Sequence, residues 1–315
     1  FQAAICLPFY HIGSEKIWLM DIDEATSAYE LFKVSLQTRL PIVNVMMSRT
    51  SWSQTFEMIR IIDGPYTQKK YFDRLNNKPL LLVVNELIEL KSKEKEWIKY
   101  ATFIGRKRDK LSVYSIDIKA MQQQENRVQQ KAVSAASQAL PLKEGLLYDS
   151  TNAFIYTNHF DHTGFEKSSF IGKSSFEPVY SRQKASLDTI LLPANRADSF
   201  YNLSLWAQCN MIDYRGPSFD LIQLDKNGQA IDTTSGIGAK YSTHVIRDWF
   251  FVDKDFTIAP HAQKIVIMVH RNSSKKEYYA IDELLLRPQA ATYFYWADEF
   301  KEKKKTLFLN NRPQF

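Results

Sequence analysis

The hydrophobic spacing of this chain changes once, within residues 121–145. Before that segment, apolar residues follow a helix period and alternate with short apolar runs. After it, segments rich in Tyr, Phe, Val and Ile recur between turn residues, which is typical of strands. The chain has 315 residues, long for a single core, so the change predicts two domains, 1–120 and 146–297.

The segment between them, 121–145, is rich in Gln, Ala and Ser and lacks aromatic residues. A flexible linker is one interpretation. A solvent-exposed helix that bridges the domains is the other, and we favour it because Gln and Ala are good helix formers.

The first domain is predicted to be a small α/β layer domain. A helix is expected across residues 23–39, and Ser51 and Gln54 have the spacing of a capping box that starts a second. The run "KPLLLVVN" indicates a strand buried on both faces. The apolar residues predicted to bury the first helix are Ala25, Ala28, Tyr29, Phe32 and Leu36.

Such a sheet invites a nucleotide-binding interpretation, but neither GxGxxG nor GxxxxGK[ST] occurs in the sequence. Glu86 and Glu89 follow the apolar strand; a solvated loop is the favoured interpretation, and a ligand-binding edge of the sheet is the other. No catalytic constellation is visible, so the sequence leaves open whether the intact protein is an enzyme.

Charge argues against nucleic acid as a partner. The net charge is +6, but the 41 basic and 35 acidic residues are interspersed, and no basic stripe with interleaved aromatics occurs. The run "KEKKK" at 301–305 predicts a solvated basic C-terminal tail over 298–315.

The two cysteines, Cys6 and Cys209, have apolar neighbours and are interpreted as core residues. The compartment stays open on this evidence. The opening stretch "FQAAICLPF" is either the stub of a membrane span or the first strand of a domain, and a segment upstream of Phe1 is one route to membrane association.

The second domain is predicted to be an antiparallel β-sandwich, because about eight strand-like segments follow Gly145. Asn227-Gly228 is a strong hairpin signal. The segment "KIVIMVHR" is apolar on both faces, as expected of a strand in the middle of a sheet. The predicted strands lie in "LLYDS", "AFIYTNHF", "KASLDTILLP", "YNLSLWAQC", "SFDLIQLD", "HVIRDWFFVDKDFTI", "KIVIMVHR" and "YYAIDELLLRP".

Alternation within "YNLSLWAQCN" places Trp206 on the polar face of its strand. An aromatic ring among hydrogen-bonding side chains suits the stacking of a sugar ring, since a pyranose presents C–H patches to an aromatic plane. The alternative is that a loop covers Trp206 as second-layer core. The residues of this candidate carbohydrate site are Trp206, Gln208, Asn210, Tyr214 and Trp249.

Asp282 interrupts the apolar face of "EYYAIDELLLRP" and therefore needs a partner. One interpretation is that its carboxylate accepts backbone N–H groups or pairs with Arg or Lys. A transition-metal site with His159 and His162 lacks a clear third ligand.

The second half resembles carbohydrate-binding modules of the galactose-binding-domain-like jelly-roll type. The resemblance is carried by "IYTNHFDHTGFEKSSFIGKSSFEPVYS", "DSFYNLSLWAQ", "RDWFFVDKDFTIAP" and "EYYAIDELLLRP". Many members of that class bind a structural calcium where the opening and closing strands meet. The resemblance therefore implies a calcium ion held by Asp161 and Asp282, although this class usually has Glu at the position of Asp161.

The first half resembles the soluble region of bacterial dolichyl-phosphate-mannose-dependent membrane glycosyltransferases. The resemblance is carried by "LPIVNVMMSRTSW", "YFDRLNNKPLLLVVNELIEL" and "KYATFIGRKRDKLSVYSI". It implies a non-catalytic, extracytoplasmic region of a bacterial envelope protein, in the periplasm or at the cell surface, with a glycan ligand. The alternatives are a glycan-active enzyme with an appended sugar-binding module and a protein-interaction module of a membrane complex.

Overall fold

The computed structural model divides the chain into two compact units, Phe1–Lys131 and Ala132–Phe315. The structure describes residues 1–12, 18–19, 25–47, 49–107, 110–138, 141–142, 146–148, 154–161, 168–177, 184–194, 199–209, 216–270, 279–298 and 305–314.

The first unit is a mixed sheet with helices on both faces, as the sequence predicted. The sheet order is β1-β5-β7-β6; β1 runs parallel to β5, and the other pairs are antiparallel. The strands are β1 Ala4–Leu7, β2 His11–Ile12, β3 Trp18–Leu19, β4 Val45–Met46, β5 Leu80–Asn85, β6 Ala101–Lys107 and β7 Leu111–Ile116. The helices are α1 Ala25–Thr38, α2 Trp52–Ile59, α3 Ser92–Lys99 and α4 Ile118–Gln138, with 3-10 turns at Arg60–Ile62 and Lys70–Arg74.

Local sequence signals account for several of these elements. Every residue of β5 is buried, because one apolar cluster packs on each face of its sheet. Ser51 and Gln54 form the predicted capping box at the start of α2. The segment "TQKKYFDRLNN" has the composition of a further helix, and that prediction is wrong, since it makes only a short 3-10 turn at Lys70–Arg74.

The predicted buried face of α1 is correct at Ala28 and wrong at Ala25, Tyr29, Phe32 and Leu36. Ala28 and Leu31 are the large contributors to the interior, whereas Tyr29, Phe32 and Leu36 are 61%, 42% and 82% exposed. The buried side of α1 consists of Ser27, Ala28 and Leu31, so the stripe of larger side chains faces outward.

The sequence left two alternatives open, a stub or a strand at the start of the chain and a linker or a helix in residues 121–145. The opening stretch forms strand β1, paired with β5, and is not a separate stub. The Gln-rich segment is helical as far as Gln138, so α4 carries the chain across the boundary between the units. In the described part of the chain no helix has the length and apolar character of a membrane span.

One buried side chain in this unit lies outside the apolar clusters. His11 is fully buried and, among the described residues, neither ring nitrogen has a hydrogen-bond partner. Burial lowers the pKa of His11 to about 4, because a charged imidazolium loses its hydration there.

The second unit contains an antiparallel β-sandwich, as predicted. One sheet has the order β10-β18-β12-β16-β15 and the other β11-β17-β13-β14. The strands of the whole second unit are β8 Pro141–Leu142, β9 Leu146–Tyr148, β10 Tyr156–Asn158, β11 Lys184–Leu191, β12 Phe200–Gln208, β13 Ser218–Leu224, β14 Ala230–Gly238, β15 Val245–Ile246, β16 Trp249–Thr257, β17 Lys264–His270, β18 Ile281–Pro288, β19 Tyr293–Asp298, β20 Lys305–Leu309 and β21 Arg312–Gln314.

Apart from the pairs β13–β14 and β15–β16, successive strands from β10 to β18 alternate between the two sheets, in the manner of a jelly roll. The Asn227-Gly228 signal makes the turn between β13 and β14, where Gly228 has a φ of 79°. The doubly apolar segment is β17, which lies inside its sheet between β11 and β13. Sequence analysis missed β14 itself.

The predicted solvated C-terminal tail is wrong where the structure describes it. A third sheet, β21-β20-β19-β9-β8, includes residues 305–314, and Leu307, Phe308 and Leu309 are buried. Asn310 and Asn311 have positive φ angles of 47° and 66° and form the two-residue turn of a hairpin. We call β20, this turn and β21 the C-terminal hairpin.

Candidate functional site

The candidate site lies on the outer face of the five-stranded sheet, the face turned away from the second sheet of the sandwich. Side chains of Asn202, Ser204, Trp206 and Gln208 in β12 share this face. Strand pairing sets Phe251 and Asp282 beside Trp206, and Trp249 beside Gln208. Trp206 shares a strand face with Ser204 and Gln208, as the alternation predicted, but its cross-strand neighbour Phe251 is aromatic.

The expected exposure of Trp206 is wrong. Its side chain is 0% exposed, and its ring stacks on Phe170 with centroids 4.0 Å apart. Phe251 and His244 pack against the same ring. Trp206 therefore belongs to an aromatic interior layer, which was the alternative interpretation of this residue.

The C-terminal hairpin covers much of the outer face. The indole N–H of Trp206 donates to the backbone oxygen of Asn311 at 2.8 Å. The Arg312 guanidinium lies over the Phe251 ring, 4.6 Å from its centroid, and 3.6 Å from Asp253. These contacts satisfy the polar groups that the β12–β16 pair leaves on a buried surface.

A buried polar network links this hairpin to β18. The Tyr295 hydroxyl donates to Glu283 at 2.6 Å and lies 2.9 Å from the Asn311 side-chain oxygen. The Asn311 amide donates to the backbone oxygen of Glu283, and His159 Nδ1 lies 2.8 Å from the Glu283 carboxylate. Burial, and after it the Glu283 charge, raises the pKa of Tyr295.

Asp282 is fully buried and bonds to backbone N–H groups. One oxygen accepts from Phe170 at 2.8 Å and from Ile171 at 3.3 Å, and the other accepts from Glu283 at 3.0 Å. Burial raises the pKa of Asp282 and the neighbouring Glu283 charge raises it further, while the three N–H groups act in the opposite direction. The geometry corresponds to the hydrogen-bond interpretation.

Asp161, near the start of the sandwich sequence, contacts the same turn. It is exposed, and its Oδ1 accepts from the backbone N–H of Lys173 at 2.8 Å. Asp161 and Asp282 thus both accept backbone N–H groups of the turn around Phe170–Lys173, and a calcium ion held between them stays a prediction. Among the described residues no three His, Cys, Asp or Glu side chains group as a metal site; His162 lies outside them.

Of the other residues predicted to bind carbohydrate, the structure describes two, Gln208 and Trp249. Gln208 is half-buried: its amide donates to Asp248 at 2.5 Å and its oxygen accepts from Ser168 at 3.0 Å. Trp249, its cross-strand neighbour, is 5% exposed. Asn210 and Tyr214 lie outside the described residues.

Sequence reasoning missed the residues that complete this face, namely Ser168, Asp248, Glu283, Tyr295, Asn311 and Arg312. The paired asparagines between "TLFL" and "RPQ" are a turn signal that predicts the C-terminal hairpin. The charged run "KEKKK" before them led instead to the prediction of a solvated tail. Nothing in the sequence singles out Ser168 or Asp248.

No known protein family matches the chain, and no curated protein matches it. Several solved structures do, each weakly. A xylan-binding CBM22-1 domain of Xyn10C from Paenibacillus barcinonensis is 11% identical with a TM-score of 0.28, covering 47% of this chain and 88% of that domain.

The enzymatically active domain of tailspike protein 4 from bacteriophage CBA120 is 16% identical with a TM-score of 0.28, covering 49% of this chain and 21% of that one. This chain therefore spans about a fifth of the tailspike domain. The glycosylation-associated Gap123 complex from Streptococcus agalactiae is 16% identical with a TM-score of 0.28, covering 46% and 45% of the two chains.

Proposed function

We propose that the jelly-roll sandwich binds a glycan at the end of its outer face, where β12 ends and β16 begins. The observation that carries this proposal is the half-buried chain of hydrogen bonds from Ser168 through Gln208 to Asp248. Amide, hydroxyl and carboxylate groups in fixed positions are the partners that sugar hydroxyls require.

Gln208 and Asp248 are half-buried, whereas Trp206, which contacts the C-terminal hairpin, is fully buried. Asp248 has two carboxylate oxygens, and one of them receives the Gln208 amide, so the carboxylate keeps capacity for a ligand hydroxyl. The Trp206 ring is covered and contributes rigidity to the strand, not a stacking surface. Recognition through a few exchangeable hydrogen bonds gives weak binding, with dissociation constants of roughly micromolar to millimolar.

Titration with a panel of soluble oligosaccharides, including xylohexaose, cellohexaose and mannohexaose, tests this site by calorimetry. Asp248→Ala and Gln208→Ala should each weaken binding by about tenfold, which corresponds to the loss of about one hydrogen bond to a charged or amide group. Thr233→Ala, an exposed change in β14 on the other sheet, is the matched control and should leave binding unchanged.

Binding that survives both substitutions would move the ligand to another surface. An absence of binding across the panel would count against a glycan function and favour a protein-interaction role for the sandwich.

We further propose a non-catalytic, extracytoplasmic role in a bacterial envelope protein. The motive is the sequence resemblance of the first half to the soluble region of membrane glycosyltransferases. The buried, unbridged thiols of Cys6 and Cys209 fit a reducing and an oxidising compartment alike. Fractionation of cells that carry the native gene tests the location, and recovery of the protein in the cytoplasmic fraction would contradict it.

A further inference from the structure

The turn between β15 and β16 contains a charged residue in a backbone conformation that suits glycine. Strand pairing leaves only Arg247 and Asp248 between the two strands, so these residues form a two-residue hairpin turn. Arg247 has a φ of 58°. A positive φ at the first central position of such a turn favours glycine, because a side chain there crowds its own backbone.

Other hairpin turns of the second unit follow that preference. Gly228 has a φ of 79° between β13 and β14, and Asn310 and Asn311 have positive φ angles in the C-terminal hairpin. The backbone at Arg247 is therefore less stable with arginine than with glycine or asparagine. Residues kept in such a conformation cluster at ligand-binding sites, so the function of Arg247 is sought in its side chain.

The Arg247 guanidinium has no partner among the residues that the structure describes. Its side chain is exposed and makes no hydrogen bond or ion pair there. Asp248, its neighbour in the chain, is engaged elsewhere: one carboxylate oxygen accepts the Gln208 amide, and the backbone oxygen accepts the Cys209 N–H at 2.9 Å. The turn thus presents a cation beside a carboxylate that keeps one oxygen for a ligand hydroxyl.

We propose that Arg247 selects acidic glycans at the site of Gln208 and Asp248, by binding the carboxylate of a terminal hexuronate residue. A guanidinium offers two parallel N–H groups that match the two oxygens of a carboxylate. In a terminal hexuronate, the carboxylate and the free C4 hydroxyl lie on neighbouring carbons. One sugar residue can therefore meet the consecutive side chains of Arg247 and Asp248 together.

The charges of the turn favour an anion over a cation as the ligand. The Asp248 carboxylate is already stabilised by the Gln208 amide, whereas the exposed charge of Arg247 is uncompensated among the described residues. The net charge of the chain, +6, adds a weak long-range attraction for anions, which salt screens. This inference rests on the proposed glycan site and names the class of glycan that the site takes.

Titration calorimetry of the full chain with matched pairs of oligosaccharides tests the selection. Hexagalacturonate and glucuronosyl-xylotetraose, which both have a terminal hexuronate, are each compared with their neutral, carboxyl-reduced forms. At low salt, at least one acidic form should bind about tenfold or more tightly than its reduced form, because an ion pair is added to the hydrogen bonds. The preference should fall as salt is raised.

Substitutions at the turn assign this preference to one side chain. Arg247→Asn should bring the ratio of the two dissociation constants close to one. Asparagine tolerates a positive φ, so the melting temperature of this variant should be unchanged or higher, which separates lost recognition from lost folding. Arg247→Lys should keep part of the preference, since the charge remains and the fork of N–H groups is lost.

Lys226→Asn is the matched control. It removes the same charge from an exposed turn of the other sheet and should keep the full preference.

Equal binding of the acidic and reduced forms would overturn the proposal. A preference that survives Arg247→Asn, or that Lys226→Asn removes equally, would do the same. In each of these cases, binding that depends on Gln208 and Asp248 would leave the proposed glycan site intact. An absence of binding to every oligosaccharide, neutral or acidic, would contradict both the site and its selectivity.

Discussion

Asp282 shows how a carboxylate is accommodated on a buried strand. Its two oxygens accept three backbone N–H groups, two of them from the turn at Phe170 and Ile171. Those N–H groups would otherwise be buried without acceptors, so the carboxylate and the turn stabilise each other.

Asp282→Asn is expected to lower the free energy of unfolding by about 1–3 kcal/mol. The amide NH2 must face at least one N–H donor in place of an acceptor oxygen, whichever way the side chain is turned. Urea denaturation of the full chain measures the change, and Asp225→Asn, in the exposed turn before Asn227, is the control with a smaller expected effect. A loss no larger than that of the control would show that the turn does not depend on the carboxylate.

At the residue scale, the sequence identified which positions are unusual but not what satisfies them. The period-two pattern correctly marked Asp282 as an acid on a buried strand face. Its partners lie about 110 residues away in the chain, and a single sequence does not reveal contacts of that separation. The same limit applies to Trp206, whose cover comes from Asn311.

At the scale of elements, strands were predicted well wherever turn residues bounded an apolar run, as in β11, β13 and β17. Helix α1 was predicted in position but turned the wrong way, because the strongest apolar stripe was assumed to face the sheet. The C-terminal hairpin was missed since a run of lysines precedes it. Composition dominated the interpretation there, although "TLFLNNRPQ" alone has the pattern of a hairpin.

The C-terminal hairpin is expected to open as one unit, and Trp206 reports that opening. Its indole N–H is held by Asn311, so hydrogen exchange at this proton requires the hairpin to move away. Arg312→Ala removes the contacts with Phe251 and Asp253 and should accelerate exchange by roughly tenfold for each 1.4 kcal/mol lost.

The Trp97 indole in the first unit is the internal control for this exchange measurement by NMR. It is 2% exposed and belongs to a separate core, so its rate should not change. Unaltered exchange at Trp206 in the Arg312 variant would mean that Arg312 does not hold the hairpin in place.

At the scale of the whole molecule, the two-domain organisation follows from the single change of hydrophobic period, and the boundary at Lys131 lies within the predicted segment. Each unit has its own core. Among the buried ionisable groups, His11 in the first unit has a lowered pKa and Asp282 in the second has a raised one. The directions of these departures give the units different responses to acid.

Calorimetry of the full chain should show two unfolding transitions, one for each unit. The difference between their melting temperatures should change with pH. His11 has a lowered pKa of about 4, so its contribution is complete above its ordinary value of 6.5 and is lost as pH falls toward 4. Asp282 has a raised pKa, so its contribution is complete at low pH and is lost as pH rises through that value.

Acidification from pH 7 to pH 5 should therefore lower the melting temperature of the first unit relative to the second. His11→Phe should remove the acid sensitivity of the first unit and also raise its stability, because two buried nitrogens without partners are replaced by carbon. His261→Phe, an exposed histidine in the second unit, is the control. Transitions that shift in parallel, or a single inseparable transition, would contradict the assignment.

The position of the C-terminal hairpin along the chain has a consequence for how the molecule is made. A ribosome delivers residues in order, so all strands of the jelly roll emerge before residues 305–314, which seal the aromatic layer around Trp206. Until then the nascent sandwich exposes Trp206, Phe251 and buried carboxylates to whatever lies near the tunnel exit. Completion of the native state thus waits for the hairpin, and during that interval Trp206 and Phe251 lack the contacts with Asn311 and Arg312.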